Sequence, residues 1–323
     1  MKLTGFRLGR RVAVVAGSSA AEYLEALNQA LHAKDMEDVR IREAEPYMEI
    51  GDLLGLVDTG AWSYAVTDLH LARLWAGTLR NLRVREDLVV HEGASLAWAV
   101  RKDSPELLRQ LSAFSRTVRT GTALGNVLQR RYFTPGERLT PSAQGADLSR
   151  FRFLEPHFKR VAENLGIDWL RLAAVAYQES RFRQHLVSPA GAVGVMQVLP
   201  STATSPSVNV TEYRTDYGNI RAGGRYLVHL RDEVFNDPGL SRQARMNFAI
   251  AAYNAGPTRI QELRRDARAN NLDPDRWFGN VEYLAGKAIG RETVDYVLGV
   301  NKYYAILAGL ADYMTRQEAA EEF

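Results

Sequence analysis

The sequence predicts an α/β N-terminal domain followed by a mainly α C-terminal domain. Three observations carry that reading. At 323 residues the chain is long for one domain and ordinary for two. Through the first third, short β-branched runs alternate with amphipathic helical stretches, the pattern of a mainly parallel sheet. From Leu148 onward, apolar residues recur at helical spacing instead. The expected division is therefore residues 1–145 and 146–323.

Arg11 to Ala16 reads as a strand and Gly17-Ser18-Ser19 as a turn. Ala20 to Lys34 follows as a helix with Tyr23, Leu24, Leu27 and Leu31 on one face. Val39 to Glu43 is a short strand, Tyr47 to Val57 a helix, Trp62 to Thr67 a strand and Asp68 to Trp75 a helix. Leu82 to Arg85 and Ala94 to Val100 read as further strands. Ser104 to Ser115 reads as a helix capped by Ser104 with Pro105 at its first position. Gly121 to Gly145, rich in Gly, Pro, Ser and Thr, is the expected connection. Leu154, Phe158, Val161 and Leu165 then share a helical face, with regular helix expected only from Pro156.

Composition narrows the function. An apolar fraction of 46% and a charged fraction of 24% are those of a globular protein. With no cysteine, disulfides and thiolate metal sites are excluded, which suits an exported bacterial protein. A net charge of +3 with dispersed basic residues gives no nucleic-acid footprint, so no nucleic-acid partner is expected. Mild positive charge suits an anionic wall polymer instead. The basic start and Val12 to Ala16 mimic a signal peptide, but the apolar run is shorter than the ~7–15 residues such a region wants.

The chemistry concentrates in four stretches. Asp168 to Ser180 reads as a buried amphipathic helix with Asp168 as N-cap and Leu170, Ala173, Ala174 and Tyr177 inward. It ends on a carboxylate, Glu179. Partial burial and the negative end of the helix should both raise its pKa, toward what a general acid needs near neutrality. Read alone, it is an ordinary helix-end glutamate beside Arg181 and Arg183. Three further stretches follow: the Gly-punctuated Gly194-Val195-Met196-Gln197, the small-residue helix ending in Ala252-Tyr253-Asn254, and a helix carrying Tyr296.

In this order, those residues resemble the four-motif signature of the lytic transglycosylases of glycoside hydrolase family 23, over about residues 150 to 308. One departure is visible, Val195 where the family usually has Leu. The resemblance implies a goose-lysozyme-like helical domain that cleaves the bond between N-acetylmuramic acid and N-acetylglucosamine without water, leaving 1,6-anhydro ends. It implies Glu179 as catalytic acid and base. Ser180 and Tyr296 would hold Glu179 or the substrate acetamido group. Gln197 and Asn254 would bind sugar amides or hydroxyls, and Met196 and Tyr253 would floor the cleft. Peptidoglycan strands are the implied substrate and a periplasmic or outer-membrane-associated location is implied. No metal or other cofactor is expected.

Around the motifs only Glu179 is well placed; Asp216, Glu262 and Glu292 read as solvated helix-surface groups. A single acid fits substrate assistance, an exception to the usual carboxylate pair. Two other readings remain: a hydrolytic muramidase on the same scaffold, and a wall-binding or sensing module.

The first half resembles one lobe, with return segments, of a solute-binding domain of the amino-acid-binding kind. That likeness implies that Gly17, Ser18 and Ser19 offer amides to a ligand anion and that Asp68 takes a ligand ammonium. Stem peptides or muropeptides would be the regulatory ligand. Because such domains have another lobe, the likeness also implies a fragment or a reduced relative with a half-built cleft.

Overall fold

The computed structural model describes residues 11–94, 97–132 and 145–321. The chain divides into two compact units, Met1–Ser142 and Ala143–Phe323.

The first unit is built on a three-stranded parallel sheet in the order β2-β1-β3. β1 (Arg11–Val14) runs between β2 (Arg40–Glu43) and β3 (Tyr64–Ala65), with Val12 opposite both Ile41 and Tyr64. The central strand is apolar because both its faces are covered. Helix α1 (Ser19–His32) lays Leu24, Leu27 and Leu31 against Val12, Val14 and Val39. Asn28 extends the ladder from α1, donating to the Val39 carbonyl and accepting from its N–H at 2.8 Å each. Helices α2 (Ile50–Asp58) and α3 (Leu69–Ala76) follow, then α4 (Pro105–Val118) and α5 (Ala123–Tyr132).

Three expectations are corrected here. Leu82 to Arg85 forms no strand, and neither do the described residues of Ala94 to Val100; residues 95–96 lie outside the described set. Leu82 and Val84 instead line a cavity. Within the expected connection, α5 is a helix whose start is held by Thr122, its hydroxyl accepting from the Gly125 N–H. Residues 133–144 of that connection lie outside the described set.

The second unit is helical throughout its regular elements. α6 (Gly145–Leu165) starts well before Pro156 and runs through it. An interior proline costs a helix about 3 kcal/mol. Phe151, Leu154, Phe158 and Val161 are all buried along one face, and their packing outweighs that cost. α7 (Trp169–Ser180) is capped as predicted, Asp168 accepting from the Leu170 N–H at 2.9 Å. α8 (Pro200–Ala203) is one turn. α9 (Asp216–His229) continues into a π-helical turn at Leu230–Val234. α10 (Arg242–Ala255), α11 (Pro257–Ala269), α12 (Glu282–Ala288) and α13 (Glu292–Glu321) complete the unit. α7 is the central element, packed against α6, α9 and α13. No helix among the described residues is long and apolar enough to cross a membrane.

Candidate active site

Glu179 sits in the last turn of α7, half-buried where α13 crosses α7. At that crossing the end of the Gln178 side chain occupies the space a Cβ on Gly299 would take. The crossing lets Tyr296 of α13 reach across and donate its hydroxyl to Glu179 Oε1 at 2.5 Å. Burial raises the Glu179 pKa to about 7, while the Tyr296 hydrogen bond pulls it the other way.

The predicted direction is thus seen, and burial, one of its two expected causes, leads it. The last carbonyls of α7 are covered by guanidinium groups, Arg183 Nε donating to Ser180 O at 2.8 Å and Arg150 Nε to Arg181 O at 3.1 Å. Tyr253 and Tyr296 both lie near enough to Glu179 for its charge to hinder their own ionisation.

The Gly194 to Gln197 loop is held on the same side by side chains from elsewhere. Asn219, fully buried in α9, accepts from the Met196 N–H at 2.7 Å and donates to Val193 O at 2.9 Å and Tyr213 O at 2.8 Å. Gln184 Oε1 accepts from the Val195 N–H at 3.0 Å. Gly194 has φ +84°, and a Cβ on it would fall 2.4 Å from the Asn219 amide. Only glycine meets both demands.

Two of the expected roles need correcting. The buried Ser180 hydroxyl spends its hydrogen bonds away from the Glu179 carboxyl, donating to Val195 O at 2.7 Å and accepting from the Arg183 N–H, which ties α7 to the loop. The Met196 side chain is fully buried against α9 at Gly223 and floors no cleft. Its carbonyl does the visible work, accepting from the Tyr253 hydroxyl at 2.8 Å. Gln197, half-buried at φ +46°, spends its amide hydrogens on Leu186 O and Gly194 O. Asn254 accepts from the Thr293 hydroxyl at 2.8 Å. Glu179, Tyr253 and Tyr296 are thereby brought together, with Asn254 next to Tyr253 on α10 and Gln197 next to Met196, whose carbonyl Tyr253 holds.

Sequence reasoning missed Asn219, Gln184 and Thr293. One signal was there: an asparagine inside Tyr217-Gly218-Asn219-Ile220, followed by Gly223 and Gly224, is a poor helix-interior choice and marks a special contact. Of the weighed carboxylates, Glu292 is exposed, Asp216 lies in the first turn of α9, and Glu262 pairs with Arg259 at 3.2 Å.

In the first unit, a cavity of about 590 Å³ is lined by Ser18, Ser19 and Asp68, among others. Gly17, at φ +66°, forms the turn before them. The Ser18 hydroxyl is buried and has no hydrogen-bond partner among the described residues.

Residues 156–274 match the model of the Transglycosylase SLT domain. Among curated proteins, the chain is 30% identical over 318 residues to the membrane-bound lytic murein transglycosylase F of Stutzerimonas stutzeri, covering 93% of this chain and 63% of that protein. It is likewise 30% identical over 320 residues to the protein of that name from Methylobacillus flagellatus, covering 93% of this chain and 65% of that one. The chain therefore spans less than two thirds of these relatives. A solved structure of an inactive mutant of lytic transglycosylase Slt from Pseudomonas aeruginosa is 24% identical, with TM-score 0.34, over 64% of this chain and 29% of that one.

Proposed function

We propose that this protein is a peptidoglycan lytic transglycosylase with Glu179 as its single general acid and base. The observation that supports it best is the Glu179 carboxyl itself, desolvated to a pKa of about 7 and held by Tyr296. An acid poised at that value is half-protonated at neutral pH and can both give and retake a proton.

The proposed reaction runs as follows. Glu179 delivers its proton to the glycosidic oxygen between N-acetylmuramic acid and N-acetylglucosamine as the bond to the anomeric carbon breaks. The substrate acetamido carbonyl stabilises the cation that develops there, the role a second carboxylate would otherwise fill. The C6 oxygen of the same sugar then bonds to the anomeric carbon, and its proton returns to Glu179. The products are a 1,6-anhydro end and a free 4-hydroxyl, with no water consumed. Tyr296 orients the carboxyl, the Gln197 carbonyl and Asn254 address sugar amides or hydroxyls, and the partly buried Tyr253 ring walls the cleft. A periplasmic or outer-membrane-associated location follows from that substrate.

The first unit is proposed as a regulatory, solute-binding-like domain whose cavity takes stem peptides or muropeptides. Its Gly17-Ser18-Ser19 turn would meet a ligand anion and Asp68 an ammonium. Calorimetry with free stem peptides tests this, and an absence of binding heat rules it out.

The catalytic reading is tested by mass spectrometry of peptidoglycan digested with the protein and with Glu179→Gln. Anhydro-ended products that fall roughly 10²–10⁴-fold with the variant are expected. Reducing ends in place of anhydro ends would make the protein a muramidase. No products from either would leave a wall-binding module.

A further inference from the structure

The two residues after α7, Arg181 and Phe182, both hold left-handed backbone, at φ 51° and 62°. Left-handed residues other than glycine cost of order 1–3 kcal/mol each and persist only where the surroundings enforce them. This pair begins two residues from Glu179, so whatever enforces it also fixes where the end of α7 points.

Two devices enforce it. Phe182 is buried in an aromatic cluster, its ring 5.6 Å from Phe151, 6.0 Å from Phe158 and 5.3 Å from Tyr177. The second device is polar and comes from the first turns of α6. Asp147, buried, forms an ion pair with Arg150 and accepts from the Tyr177 hydroxyl at 2.9 Å. Arg150, so aimed, donates through Nε to the Arg181 carbonyl. Tyr177 belongs to α7 itself, one turn before Arg181, whose N–H it accepts through its own carbonyl at 2.9 Å. The helix end is thus gripped on the side chain and on the main chain by one acid–base pair.

We infer that Asp147 and Arg150 form a clamp that positions Glu179, acting through the left-handed turn at Arg181–Phe182 and touching no substrate. This rests on the assignment of Glu179 as the acid. Arg150 works through geometry, since its charge is not among the influences on Glu179 ionisation, which are burial and the Tyr296 hydroxyl. The groups facing Glu179 are Tyr296 of α13 and Tyr253 of α10, with Tyr226 behind Tyr253. None of these is altered when Arg150 is changed.

The test is Arg150→Ala in the full chain, with Asp147→Asn as a second route to the same loss and Arg150→Lys as the conservative variant. Glu179 is titrated by carboxyl-carbon NMR, assigned by difference from Glu179→Gln, alongside turnover and melting temperature. Released from the clamp, the helix end admits water, so the Glu179 pKa should fall by about one unit toward the ordinary carboxylate range. Turnover should drop roughly tenfold at unchanged KM, with Arg150→Lys recovering part of both. A lower melting temperature with the Glu179 titration unmoved would overturn the clamp and leave only a structural ion pair. If Glu179→Gln still makes product, the catalytic assignment fails separately, while the titration still decides whether Arg150 positions the carboxyl.

Discussion

Helices α4 and α7 differ most where their sequences look most alike. Both are amphipathic, with apolar residues at helical spacing. α7 buries eight of its twelve residues, while α4 buries none of its fourteen. Leu107, Leu108 and Phe114 of α4 are about half exposed. Periodicity states that a helix has an apolar face. Whether the face meets another surface is decided by the rest of the fold, and that is where the two units part. The second unit encloses α7 with three helices, and enclosure is what desolvates Glu179.

The sharpest way to break this comparison is to cut the packing of the second unit. Phe248 is fully buried between Phe235 and Trp277, so Phe248→Ala should destabilise that unit by about 3–5 kcal/mol in denaturant unfolding. Gly194→Ala forces both left-handed backbone and a collision with Asn219; it should cost about 2–4 kcal/mol. Adding Asn219→Ala should relieve part of that cost, which a double-mutant cycle would read.

Tyr296→Phe sharpens the electrostatic side. The phenol donates to the ionised carboxylate and so lowers the Glu179 pKa; without it the pKa rises above about 7. Acid-form activity is lost as pH rises through that value, so the alkaline limb of the turnover profile should move up, by about one pH unit. A downward movement would mean that the hydroxyl serves the neutral acid instead. The smallest effect belongs to the other unit: Leu108→Ala should change stability by less than ~0.5 kcal/mol. A larger loss would show that α4 is covered in solution.

Much of the site was legible because its chemistry is local. Asp168 caps α7 as its position requires, and Glu179, Tyr253 and Tyr296 lie together. What stayed hidden depends on long-range pairing. Leu82 and Val84 alternate like a strand, but alternation is satisfied as well by lining a cavity. Pro156 signals a helix boundary, and only the burial of Phe151 and Phe158 on either side overrides it. Ser180 and Met196 sit within the recognised stretches, yet both serve the interior. Adjacency in a motif does not tell a ligand contact from a brace.

Asn219 carries a consequence for how this protein can vary. One amide side chain replaces the hydrogen bonding that a neighbouring strand would supply, fixing Val193, Met196 and Tyr213 from a helix more than twenty residues downstream of Met196. The shape of the Gly194 to Gln197 loop is therefore set from outside its own span. A substitution at Asn219 therefore acts on three backbone groups at once, Val193 O, the Met196 N–H and Tyr213 O, without a change in the loop's own sequence.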